Sequence, residues 1–107
     1  MVPDLAGWRR ERLPHLPEEA FFTLAPDWIC EVASPNRAEI DRARKMPVYA
    51  RERVGHAWLV DPLEHLLEVF RLQDPNWLLV AVHAGNVRAR AEPFEAVELD
   101  LARWWAA

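Results

Sequence analysis

The sequence has one cysteine, one lysine, one tyrosine and three glycines, and each scarcity excludes something. A single thiol, Cys30, rules out an intrachain disulfide and fits a reducing cytoplasm; within an apolar run it reads as a buried structural group. Three scattered glycines leave no phosphate-cradling loop and no Gly-x-Ser-x-Gly nucleophile elbow. His15, His56, His65 and His83 have no metal-ligand spacing, which argues against zinc. The apolar runs are far too short to span a membrane, and Met1 is followed by Val2-Pro3-Asp4 instead of a secretory leader. No segment suggests an organic cofactor.

Excess positive charge is also missing. The formal net charge is −4, and it is unevenly spread. Residues 1–53 hold nine basic and nine acidic side chains, whereas residues 54–107 hold four and eight. The first half is therefore the one able to face a polyanion. Its arginines 37, 42, 44, 51 and 53 are interleaved with Glu39, Asp41 and Glu52, the pattern of a solvated face. A chain of 107 residues fits one domain over 1–107, with six tryptophans and four phenylalanines supplying much of its core.

What is present centres on Trp28 to Tyr49. Trp28 to Ala33 is apolar on both alternating faces, which predicts a central strand covered on both sides. Glu31 lies within it, and a lone buried carboxylate requires a proton, a cationic partner or a metal ion. Ser34-Pro35 then starts a helix reaching about Val54, with a kink or break expected near 43–47 because of Pro47. Ile40, Ala43, Pro47, Ala50 and Val54 read as its apolar stripe, which places Lys45 nearly opposite, in a surface pair with Asp41. Tyr49 reads as packing.

On either side of this centre the pattern is β. Val2 to Trp8 reads as a first strand, and 9–26 as a connection punctuated by Pro14, Pro17 and Pro26, with Leu13, Phe21 and Phe22 as core anchors. After Gly55, strands are predicted at His56–Val60, Leu66–Leu72, Trp77–His83 and Val87–Arg90. Their turns fall at Asp61-Pro62, Asp74-Pro75-Asn76 and Gly85-Asn86. Asp100 is expected to cap a short final helix whose Trp104 and Trp105 cover the core or meet another subunit. The sum is an α+β domain: a mixed sheet, one main kinked helix, an antiparallel meander and a short C-terminal helix.

Among the acids, Asp27 and Glu31 share a strand face but are about 13 Å apart, too far to share a magnesium ion. A partner for Glu31 must come from a neighbouring strand, and Asp4 is the nearest candidate. If the two strands pair, the carboxylates approach to about 4 Å and repel by about 4 kcal/mol at an effective dielectric of 20, which calls for a proton or a divalent cation. Alternatively Asp4 is solvated and Glu31 meets an arginine.

Pro3-Asp4, Pro26-Asp27-Trp28-Ile29-Cys30-Glu31-Val32-Ala33-Ser34-Pro35, Asp41, Lys45, Tyr49, Gly55 and Trp58-Leu59-Val60-Asp61-Pro62 together resemble the Uma-type restriction endonuclease family, a branch of the PD-(D/E)XK nuclease superfamily. The resemblance implies a restriction-endonuclease-like core, DNA as substrate, and magnesium- or manganese-dependent phosphodiester hydrolysis. It implies Asp4 and Glu31 as metal ligands. The superfamily's usual lysine position, two residues after the glutamate, is Ala33 here, and the resemblance points to Lys45 as the catalytic lysine. The family carries a further helix and strands ahead of the first Pro-Asp, whereas this sequence begins two residues before Pro3. A shortened sheet exposes an edge, so a homodimer is expected, and a catalytically inactive dimerisation or binding module is the alternative.

Overall fold

A computed structural model describes residues 3–13, 24–34 and 38–106. Five strands form one sheet in the order β1-β2-β3-β4-β5: Leu5–Gly7, Trp28–Val32, His56–Asp61, Leu66–Gln73 and Asn76–Ala84. β2 and β3 run parallel, and every other pair is antiparallel, so the sheet is mixed as the pattern implies. Parallel neighbours need a crossover. Helix α1, Ala38–Arg51, supplies it.

β2 is covered on both faces because its alternating side chains enter two different cores. Ile29 joins Met46, Tyr49, Val54, Ala57 and Leu59 on the α1 face. Cys30 joins Trp58, Val60, Leu67, Val69, Ala89, Ala91 and Leu101 on the other. The second face is closed by a two-stranded ribbon, β6 (Arg88–Ala89) with β7 (Leu99–Asp100), and by α2 (Leu101–Trp105). The strand expected at Val87–Arg90 thus shrinks to two residues and pairs outside the meander. Asp100 occupies the N-cap position of α2 but makes no side-chain cap bond, so burial of Leu101 holds that helix instead. Trp105 is half-buried, donates its indole N–H to the Gly85 carbonyl at 2.8 Å and stacks on His65, which makes it a cover for this core.

Helix α1 runs through Pro47 without a break. Proline frees the Ala43 carbonyl, but Ala43 and Pro47 are both exposed, so water can satisfy that acceptor. Farther along, the Met46 carbonyl takes the indole N–H of Trp77 at 2.9 Å, which ties the helix to β5. The helix ends earlier than Val54, at Arg51; Arg53, two residues on, turns left-handed with φ 62°, and the Val54 N–H bonds back to the Tyr49 carbonyl at 3.1 Å. The helix start at Pro35 and the connection around Pro14, Pro17, Phe21 and Phe22 lie outside the described residues. Among the described residues no helix is long and apolar enough to cross a membrane.

The segment returning along the second face is clamped by one carboxylate. His56 and Arg71 are cross-strand partners, and Glu92 bonds both: His56 Nε2 at 2.8 Å, Arg71 Nε at 2.5 Å and Arg71 Nη2 at 2.9 Å. The Arg71 bonds first, and then His56, hold the Glu92 carboxyl down to about 2. A carboxylate whose folded-state value lies below its unfolded value contributes stability that is present above pH 4.5 and is lost as pH falls toward 2. Wild type is therefore expected to lose about 5 °C more in melting temperature than Glu92→Gln between about pH 5 and about pH 2.5. Parallel melting curves for the two proteins across that window would refute the clamp.

Candidate active site

The carboxyl end of the parallel pair opens a cleft beneath α1, lined by Glu31, Ala33, Arg42, Lys45, Leu59 and Glu68 among others. Glu31 enters it because of its parity on β2. It is two residues beyond Ile29 and so shares the α1 face. Only 12% of its side chain is exposed, and both carboxylate oxygens are engaged. Tyr49 donates its phenol to Oε1 at 2.5 Å, and Lys45 donates its ammonium to Oε2 at 3.1 Å. Glu31 therefore meets a lysine and a tyrosine, not an arginine.

Lys45 corrects the helical stripe read from the sequence. Among the described side chains of α1, Met46, Tyr49 and Ala50 are buried, while Ala43 and Pro47 face solvent; Ile40 lies outside them. Rotating the stripe this way brings Lys45, four residues before Tyr49, to the site-facing flank, where its side chain is 24% exposed. Tyr49 was legible only as packing, and it does pack, at 2% exposure; its hydroxyl adds a role that burial alone did not reveal. The missed signal was the i, i+4 spacing of Lys45 and Tyr49 on one helix flank.

Asp4 stands one residue beyond the Leu5↔Cys30 pair, level with Glu31 on the neighbouring strand. Its Oδ2 accepts the Val32 N–H at 2.6 Å, a side chain standing where the backbone ladder has ended. The fields of the two acids overlap. Cys30, next to Glu31 on β2 and paired with Leu5, has its thiol pushed up to about 12 by burial, then by Asp4, then by Glu31. The Tyr49 phenol is raised as well, by burial, by its bond to Glu31, and by the charges of Glu31 and Asp4, so it remains a proton donor. Asp27 is committed elsewhere, to the Arg9 N–H at 2.7 Å and the Arg12 guanidinium at 2.5 Å.

Asp4 and Glu31 carry two negative charges against the single ammonium of Lys45. Among the described residues no group of three or more His, Cys, Asp and Glu side chains is arranged around one metal position. Two carboxylates with spare lone pairs nevertheless suit magnesium, which keeps several waters and takes one or two protein carboxylates besides substrate phosphate. The donor set fits a hard divalent cation.

The family model described as "Putative restriction endonuclease", Uma2, matches residues 1–102. The chain belongs to the Uma2 family. A crystal structure from Anabaena variabilis ATCC 29413, described as that of a putative nuclease belonging to DUF820, is similar to it with a TM-score of 0.73 at 23% identity. The match covers 99% of this chain and 62% of that one, so the Uma2 chain spans less than two thirds of its neighbour's length. At that identity the likeness establishes the fold, in keeping with the mixed sheet and crossover helix described above. No curated protein matches the sequence.

Proposed function

We propose that this Uma2-family chain is a divalent-metal-dependent nuclease that hydrolyses DNA phosphodiester bonds, with Asp4 and Glu31 as metal ligands and Lys45 as the catalytic cation. The observation carrying this reading is the pairing of Lys45 with Glu31 at 3.1 Å, on a strand end where Asp4 stands level with Glu31. The position two residues after Glu31 is Ala33, so the strand supplies no ammonium there; the helix does. Family membership supports a nuclease.

Each side chain has a separable task. Asp4 and Glu31 would hold magnesium or manganese, which polarises a phosphate oxygen and lowers the pKa of a bound water. Tyr49 fixes the rotation of the Glu31 carboxylate through a hydroxyl that stays protonated. Lys45 places a positive charge beside the carboxylates, where the phosphate gains negative charge during attack. Its flexible stem, anchored at the head by Glu31, can turn toward a bound phosphate without a helix movement.

Metal titration tests the proposal. At magnesium or manganese about tenfold above the dissociation constant, binding contributes about 1.4 kcal/mol. For a domain of this size that raises the melting temperature by about 5–10 °C. Cleavage of supercoiled plasmid should require the same metal. Unchanged melting in millimolar metal, together with intact plasmid, would leave a nuclease-shaped binding module as the surviving reading.

A further inference from the structure

The cleft holds a second ion pair whose geometry differs from the first in one respect that matters. Across β2, β3 and β4, Glu31, Leu59 and Glu68 lie in one row, since Glu31 pairs with Leu59 and Leu59 with Glu68. Residues paired across strands point to the same face, so both acids look up at α1, about 10 Å apart, with Leu59 between them. Above the row, α1 lowers two cations from consecutive turns. Lys45 reaches Glu31, and Arg42, three residues earlier, reaches Glu68. The exposures differ. Lys45 and Glu31 are 24% and 12% exposed, whereas the Arg42 side chain is 49% exposed and Glu68 21%.

From this arrangement we infer that Arg42 is a phosphate-binding residue of the cleft and that Glu68 is its internal restraint, competing with the substrate for the guanidinium. The inference rests on the nuclease reading above and deepens it. A half-exposed ion pair contributes little net stability, so Arg42 leaves Glu68 at small cost. A guanidinium grips phosphate through two parallel N–H bonds, which makes a nucleic-acid backbone a better partner than one carboxylate. Glu68 in turn keeps the cleft from acting as a general anion trap: an anion unable to accept both bonds does not displace it. Lys45 stays with the carboxylates, so the two cations divide the work, one at the reacting centre and one on the flanking backbone.

The test is binding without turnover, measured by fluorescence anisotropy in calcium with a short fluorescein-labelled DNA of mixed sequence, as duplex and as single strand. Arg42→Ala should weaken binding about tenfold and lower the slope of log affinity against log salt by about one, the loss of one phosphate contact. Arg42→Lys should recover the salt slope but only part of the affinity. Glu68→Gln should tighten binding about threefold, and that gain should vanish in the Arg42→Ala background. A gain that persists there shows Glu68 acting as a bare charge and overturns its role as a restraint. Wild-type binding unaffected by Arg42→Ala overturns the inference while leaving the nuclease reading in place. Absence of wild-type binding to either DNA form overturns the reading itself. Melting curves of each variant, expected within about 2 °C of wild type, confirm that the fold is intact.

Discussion

Glu31→Gln is expected to abolish the metal-dependent rise in melting temperature and to lower DNA cleavage about a thousandfold, equivalent to about 4 kcal/mol of transition-state stabilisation. The amide keeps an oxygen for the Tyr49 hydroxyl, so the side chain's seat in the sheet survives. What it loses is charge. With Asp4 alone, the site has one carboxylate facing the ammonium of Lys45, and a net charge near zero gives a divalent cation little reason to enter. In metal-free buffer the variant should melt within a few degrees of wild type, because the substitution removes the like charge beside Asp4 even as it weakens the bond to Lys45. A full metal response in Glu31→Gln would show that the ion binds elsewhere and would remove Glu31 from the site.

The second large effect is expected at Lys45, where binding and turnover should separate. Lys45→Ala removes the cation from the pair of acids, so magnesium or manganese should bind more tightly and raise the melting temperature further than in wild type. Cleavage should nevertheless fall about 10²–10³-fold, the usual loss when a positioned electrostatic donor is removed from a transition state. The decrease should lie in kcat, with KM changed little, since Arg42 and the rest of the cleft still hold the substrate. If Lys45→Ala cuts DNA at the wild-type rate, the lysine is a structural counter-ion for Glu31 and nothing more. Arg42→Ala offers the contrast, because its effect belongs in affinity.

These expectations rest on parts of the molecule that were unequally legible in the residue order. Apolar side chains on both faces of Trp28–Val32 announced a strand covered twice, and two separate cores now flank it. The first three period-two runs after Gly55 became β3, β4 and β5 with no end shifted by more than one residue. Glu31 stood out because a carboxylate in such a strand must have a partner. The identity of that partner was not legible. Counting Ala43 and Pro47 as buried turned the helix so that Lys45 faced water, although small apolar residues are as compatible with solvent as with a core. Only the bulk of Met46 and Tyr49 against Ile29 and Leu59 decided which flank of α1 meets the sheet.

The residue order by itself determined the α+β class, the family, and the need to neutralise a carboxylate inside a greasy strand, since these follow from periodicity, motif spacing and the cost of desolvating charge. Register and helix rotation decided everything about how that need is met: Asp4 level with Glu31, Lys45 and Tyr49 on its two oxygens, and Arg42 resting on Glu68. Such choices depend on which side chains from distant parts of the chain fill one shared volume. That is a property of packing, and no local pattern encodes it.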